Sequence, residues 1–376
     1  MTAQQPYCRP FRTLGGAMIH LQGGTYLISQ PLRFPVSGIG NLVISGGTLR
    51  ASNRFPSNGY LIDFDSPASS SSSAPYSYEF ITLRDLMFDC NYMGGGVSVV
   101  KSLRTTIENC YIAHFSSNGI FVKDGHETFI RTSFIGQHVT AGGDTGERNF
   151  TGTGIYLAGN DNAVTDTVIF SGGTGIMVTG EANTFSGVHC YNKATGFKGV
   201  GIYLRLRGLT QTRIINCYMD YTGIVAEDPV QLTVTNSFFL GDAFVLLKSV
   251  SGIASGVTIV NNMFSGSDAG VDIVKAEAFK RIEHVVVENN SARGMNVRAT
   301  SARGSATGNG TLWRFDFRSE LLFGDMMSQV FYSMKPDGHL FPNHRLGSTF
   351  NNQVLVQTDI PVSATVFVNV HQLPSV

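Results

Sequence analysis

Thr153-Gly154-Ile155 returns as Thr174-Gly175-Ile176, and each copy runs into a short polar turn that holds an Asn. The Gly-Ile step occurs at Gly119, Gly154, Gly175, Gly201 and Gly223, at intervals of 35, 21, 26 and 22 residues. A second pattern fills the other half of each unit: an aliphatic residue, an Asn two positions on, an aromatic two further. It reads Ile107/Asn109/Tyr111, Ile214/Asn216/Tyr218, Val234/Asn236/Phe238 and Val260/Asn262/Phe264. Degenerate copies are Ile130/Thr132/Phe134 and Gly187/His189/Tyr191. Spacing by two is strand alternation. A tandem unit of ~20–27 residues with two or three short strands indicates an all-β solenoid, a parallel β-helix of about ten coils.

Equivalent residues of such a coil stack at ~4.8 Å. The Asn row is then expected to be buried and to pass hydrogen bonds from coil to coil. The aromatic row is expected to fill the interior at each level. "GGAMIHLQGGTYLIS" starts the coil, "LVISGGTL" and "ITLRDLMF" read as early rungs, and "HVVVENNS" as a last one near Asn290. Ser69 to Ser73 form a Ser-rich run expected to be a surface loop. From about Trp313 the period is lost, and "VLVQTD" and "ATVFVNV" read as strands of a cap over the open end. The expected organisation is a coil over 1–311 and a β-rich C-terminal cap over 312–376.

Composition narrows the function classes. With 43 Gly and only 14% charged residues among 376, the chain suits tight turns between short strands. Its formal net charge is zero, so neither nucleic acid nor an anionic membrane is an expected partner. No apolar stretch reaches the ~18–20 residues of a membrane span. "MTAQQPYCRP" shows no signal-peptide pattern, while Asn149, Asn289 and Asn309 sit in glycosylation sequons that suit a secreted protein. The five Cys are not spaced as zinc ligands, and no metal or other cofactor is expected. Cys110, Cys190 and Cys217 read as one position of the repeat, either a buried stack or a site for a Cys190–Cys217 disulfide.

Solenoids tend to carry function on the loops that break their period. The widest break lies between Gly119 and Gly154, and its "GQHVTAGGDTGERNFTG" brings Asp144, Glu147 and Arg148. The turns after the Gly-Ile strands hold His126 and Glu127, then Asp161, then Glu181. Stacking places Glu127 ~5 Å from Asp161 and ~10 Å from Glu181. Glycosidic cleavage uses two carboxylates, ~5–5.5 Å apart for retention and ~6.5–9.5 Å for inversion. Glu127, Asp144, Glu147 and Asp161 are therefore the expected acid and base candidates, with the insertion placed beside these turns. His126, Arg148, Arg205 and Arg207 are the expected substrate-binding residues, the two latter sharing a face fit to hold carboxylates. Glu227 and Asp228 are expected to pair with those Arg.

The blocks "GHETFI", "GGDTGERNFTGTGI", "NDNAVTDTVIFS", "GVHCYNKAT", "DYTGIVAEDPV" and "IVNNMFSG" resemble the plant quartet-type polygalacturonases, over about residues 14 to 370. That family belongs to the pectate-lyase-like superfamily. The resemblance implies a right-handed β-helix, secretion to the plant cell wall and hydrolysis of α-1,4-galacturonan. Well-studied polygalacturonases carry Asp residues just before the Gly-Ile-like strand, where this chain has Asn118, Thr153, Thr174, Val200 and Thr222. No catalytic residue carries over from that set. Two other readings share the fold: lyase or fructan-transferase chemistry, and a non-catalytic protein that binds wall polysaccharide.

Overall fold

The computed structural model describes residues 16–34, 39–64, 76–139, 145–192, 199–205 and 208–372. The strands wind as a parallel β-helix, each pairing with its equivalents on the neighbouring coils. Three strand stacks build the wall. In the first, which holds the Gly-Ile step, Ile120, Ile155, Ile176, Ile202, Ile224 and Val245 follow one another in register. In the second, Ile107, Ile130, Val164, Phe185, Ile214, Val234, Ile259 and Val287 do so. In the third the row is Ile112, Ile135, Ile169, Cys190, Met219, Phe239 and Phe264. These rows point inward and form one continuous buried core. Each fully buried aliphatic side chain contributes about 1.5–3 kcal/mol.

The Gly of the repeat is a packing requirement. A Cβ on Gly154 would lie 2.6 Å from Ile169 Cγ2 and 2.7 Å from the Gly175 carbonyl, and one on Gly175 would lie 2.5 Å from the Gly201 carbonyl. Only a residue without a side chain lets the first sheet meet the third this closely at the corner.

Of the expected Asn row, Asn109, Asn216 and Asn236 are not buried, contrary to the sequence expectation, whereas Asn262 is. Asn109, Asn216, Asn236 and Asn261 are exposed and have φ of 49°, 53°, 53° and 58°. They are the single left-handed residue that turns the chain from the second sheet to the third, a conformation Asn tolerates better than most residues. The repeat therefore marks a bend. Strand alternation does not carry across it, so Phe134 and Phe238 of the aromatic row are exposed and the interior is taken by Ile135 and Phe239, while Phe264 of the expected row is buried. His189 belongs to this outer row and stacks on Tyr218 with ring centroids 4.3 Å apart. The Val260/Asn262/Phe264 triplet is one residue out of phase, because Ile259 is the partner of Val234.

Buried Asn ladders do exist, one at other positions and one through Asn262 of the expected row. Asn162 donates from Nδ2 to Asn183 Oδ1 at 3.1 Å, and Asn262 does the same to Asn290 at 3.0 Å. Cys110 and Cys217 both follow the left-handed residue, whereas Cys190 lies within a third-sheet strand, so the three do not share a position. Cys90, Cys110, Cys190 and Cys217 are all buried free thiols. Burial pushes Cys110 up to about 12 and Cys217 up to about 11.

Beyond the coil a four-stranded antiparallel sheet forms from Ser301–Asp316, Gln329–Pro336, His344–Phe350 and Gln353–His371. One long strand covers both segments read as cap strands, and its Val354, Val356, Val366, Val368 and Val370 pack with Trp313 and Phe315. The antiparallel sheet begins at Ser301, so the boundary expected at 311/312 falls inside its first strand. Among the described residues no helix is long and apolar enough to cross a membrane.

Candidate active site

The first sheet fixes where its turns can place side chains. His126 pairs in register with Asn160, so Glu127 and Asp161, one residue on, occupy equivalent positions on adjacent coils, both left-handed. Ala182, not Glu181, takes the next left-handed position, so the expected Glu127/Glu181 stacking is one residue off. Both carboxylates are engaged. Glu127 Oε2 lies 2.8 Å from Arg104 Nε, and Arg104 also pairs with Glu79. Asp161 Oδ2 lies 2.9 Å from His126 Nδ1, whose ring meets Tyr76 edge-on. The Glu127 and Asp161 side chains are 43% and 54% exposed.

The described part of the insertion around Glu147 does not lie beside these turns. It precedes the strand Thr153–Asn160, whereas Asp161 follows it. An eight-residue strand separates the two ends by roughly 25 Å. Within the insertion Glu147 sits in a 3-10 helix, Thr145–Asn149, and is fully buried, accepting a hydrogen bond from the Ser171 hydroxyl. Arg148 belongs to the same helix. Asp144 and Arg207 lie outside the described residues. The three described candidate carboxylates thus do not share one pocket: Glu127 and Asp161 stand at one edge of the first sheet and Glu147 at the other.

A denser constellation lies further along the same sheet. On its outer face Phe121, Tyr156, Met177 and Tyr203 are in register, one per coil, with the Phe121 and Tyr156 rings 5.3 Å apart. Two residues along each strand runs a second outer row that includes Lys123, Arg205, Glu227 and Lys248. Tyr203 donates its hydroxyl to Glu227 Oε1 at 2.6 Å, and Lys248 Nζ donates to the same oxygen at 3.0 Å. The Glu227 side chain is only 6% exposed. Burial alone would raise its pKa, but the Tyr203 hydroxyl and the Lys248 ammonium outweigh that and hold it below the ordinary carboxylate range. The hydrogen bond to Glu227 in turn raises Lys248. Arg205 stands one coil before Glu227 and lowers its pKa further, by charge. Glu277 follows Lys248 on the next coil, accepting from the Ser249 amide at 2.9 Å.

Asp228, beside Glu227, has a different task. Its carboxylate accepts the backbone amides of Val250, Ser251, Gly252 and Ile253 at 2.6–3.3 Å and is held ionised by them despite its burial. Neither acid pairs with Arg as its main partner, which departs from the sequence expectation. Lys248 was not singled out from sequence. The signal was present in the repeat phase: it lies three residues after Val245, as Glu227 lies three after Ile224.

The fold and this face define a class: a parallel β-helix protein that presents a long, ring-lined and charged surface along its coil. The family described as a right-handed beta helix region matches residues 147–309, which makes the hand of the coil the expected one. Polygalacturonase QRT3 of Arabidopsis thaliana is 60% identical over 365 residues, 96% of this chain and 75% of that protein. The chain belongs to the QRT3 polygalacturonase family, and is a glycoside hydrolase of that family. A double mutant of the tailspike protein of E. coli bacteriophage HK620 shares the fold, with a TM-score of 0.52 at 9% identity over 95% of this chain and 87% of that one. The Dettilon tailspike protein aligns with a TM-score of 0.49 at 10% identity, over 94% and 87%.

Proposed function

We propose that this chain hydrolyses the α-1,4-galacturonan of pectin in the plant cell wall, outside the cell, in the service of cell separation. The observation that carries the reading is the outer face of the first sheet. Its ring row suits the apolar faces of sugars, and Lys123, Arg205 and Lys248 suit a polymer that bears a carboxylate on each unit. A galacturonan strand would lie along the coil axis over Phe121, Tyr156, Met177 and Tyr203.

Glu227, buried and held ionised, serves as the base that activates water. Glu277, two rungs further in the same row, serves as the acid. Two rungs amount to ~9.6 Å. That is just beyond the ~6.5–9.5 Å range of inverting enzymes. Lys248, between them, would hold a substrate carboxylate.

A second reading rests on the equivalent positions of Glu127 and Asp161 on adjacent coils. One rung, ~4.8 Å, is close to the separation of a retaining pair. His126 would then bind substrate. In either reading Glu147 is taken to anchor the insertion through Ser171.

Incubation with polygalacturonate, followed by analysis of products and their anomeric form, tests the proposal. Saturated oligogalacturonates released with inversion are expected. Retention would transfer catalysis to Glu127 and Asp161. An ultraviolet-absorbing unsaturated product would mean a lyase, and binding without turnover would leave a wall-binding protein.

A further inference from the structure

The outer face of the first sheet does not end at Lys248. The next strand, Val274–Ala276, brings Lys275 into register with Leu246, and the irregular rung after it, bridged at Asp272 and Asn296, brings Arg298. There a cavity of about 340 Å³ opens between the last coils and two connections of the antiparallel sheet, the segment after its first strand and the turn at Asn351 and Asn352. Its volume falls within the ~300–1,000 Å³ of small-ligand sites. Lys275, Arg298 and Arg318 line it with Asp272, and Arg318 Nε also donates to the Asp316 carboxylate at 2.9 and 3.0 Å. Arg298 is held in place from two sides: Nε lies 3.1 Å from Asp272 Oδ2, and NH1 donates to the Arg318 carbonyl at 2.7 Å. Lys275 Nζ lies 3.9 Å from the centre of the Phe244 ring. Asn352, 3% exposed, donates to the Phe323 carbonyl, while its Oδ1 is buried with no hydrogen-bond partner.

We propose that this cavity is a uronate-binding subsite, which takes the galacturonate units on one side of the bond cleaved beside Glu227. The inference rests on the galacturonan reading above and extends it. The C-terminal segment then does two jobs: it closes the coil, and through Arg318 it holds substrate. The cations select for a free carboxylate, so a methyl-esterified unit is bound poorly.

The test compares oligogalacturonates of three and six units for binding and turnover by the full chain. Arg298→Gln removes a cation but leaves Asp272 without its partner. Gly324→Leu supplies an independent block, because a Cβ at Gly324, which lines the cavity, meets no atom within 4 Å. Each variant is expected to cut the affinity advantage of the six-unit over the three-unit oligomer about tenfold. Methyl esterification of the long oligomer is expected to do the same in the unaltered protein. Parallel changes for both lengths, no change for either, or an undiminished advantage after esterification would each overturn the subsite. A chain that prefers the long oligomer in this way yet releases no product would keep the subsite and remove the hydrolase reading.

Discussion

Two stretches of one sheet edge carry acidic side chains, four strands apart, and they differ in how far water reaches them. At Glu127 and Asp161 each carboxylate meets one cationic or imidazole partner and remains about half exposed. At Glu227 the carboxylate is nearly sealed, and two donors converge on one oxygen. Exposed ion pairs contribute ~0–1 kcal/mol, whereas a desolvated, hydrogen-bonded charge responds strongly to its neighbours. The comparison teaches that carboxylate spacing alone is a poor guide in a solenoid, since stacking makes such pairs everywhere. Desolvation separates them.

The comparison sharpens first at Asp228. Asp228→Ala leaves the amides of residues 250–253 without their acceptor and is expected to cost about 3 kcal/mol, read as a lower urea midpoint. The pH dependence has a definite sign. The folded-state pKa values of Glu227 and Asp228 are depressed, so the unfolded chain binds more protons in acid. Their contribution is complete above the ordinary carboxylate values near ~4 and is lost as pH falls through the depressed ones. Asp228→Asn should flatten that acid limb in a urea series run at several pH values.

A smaller effect is expected where the wall is apolar. Gly154→Ala forces a Cβ against Ile169 and the Gly175 carbonyl and should destabilise by ~1–3 kcal/mol in thermal or urea unfolding. Smallest of all should be the exposed edge. Glu127→Gln removes the Arg104 pair and is expected to change stability by less than ~1 kcal/mol, with the difference shrinking in high salt. A loss of several kcal/mol there would erase the contrast between the two stretches.

The sequence carried the coil and its phase because Gly-Ile and Asn punctuate it at fixed places. It misled about direction. Read as an unbroken strand, Ile107-x-Asn109-x-Tyr111 puts all three residues on one face, but the left-handed Asn resets the alternation and turns Tyr111 outward. The same limit applied to the site. Glu127 and Asp161 were legible as neighbours because they follow equivalent strands. Glu227 was visible only as an acid near Arg, since its burial depends on Tyr203 and Lys248 from other coils. The cavity beside Arg298 joins the coil to residues 318–352, a contact that no repeat announces.

The most direct measurement is the turnover of polygalacturonate by Glu227→Gln set beside the Glu127→Gln/Asp161→Asn double variant, both checked for folding. Loss of a catalytic base lowers kcat by about 10²–10⁴-fold. The account expects that loss in Glu227→Gln and a change of less than about tenfold in the double variant. Near-full turnover by Glu227→Gln, with collapse in the double variant, would contradict it and put the chemistry at the exposed edge.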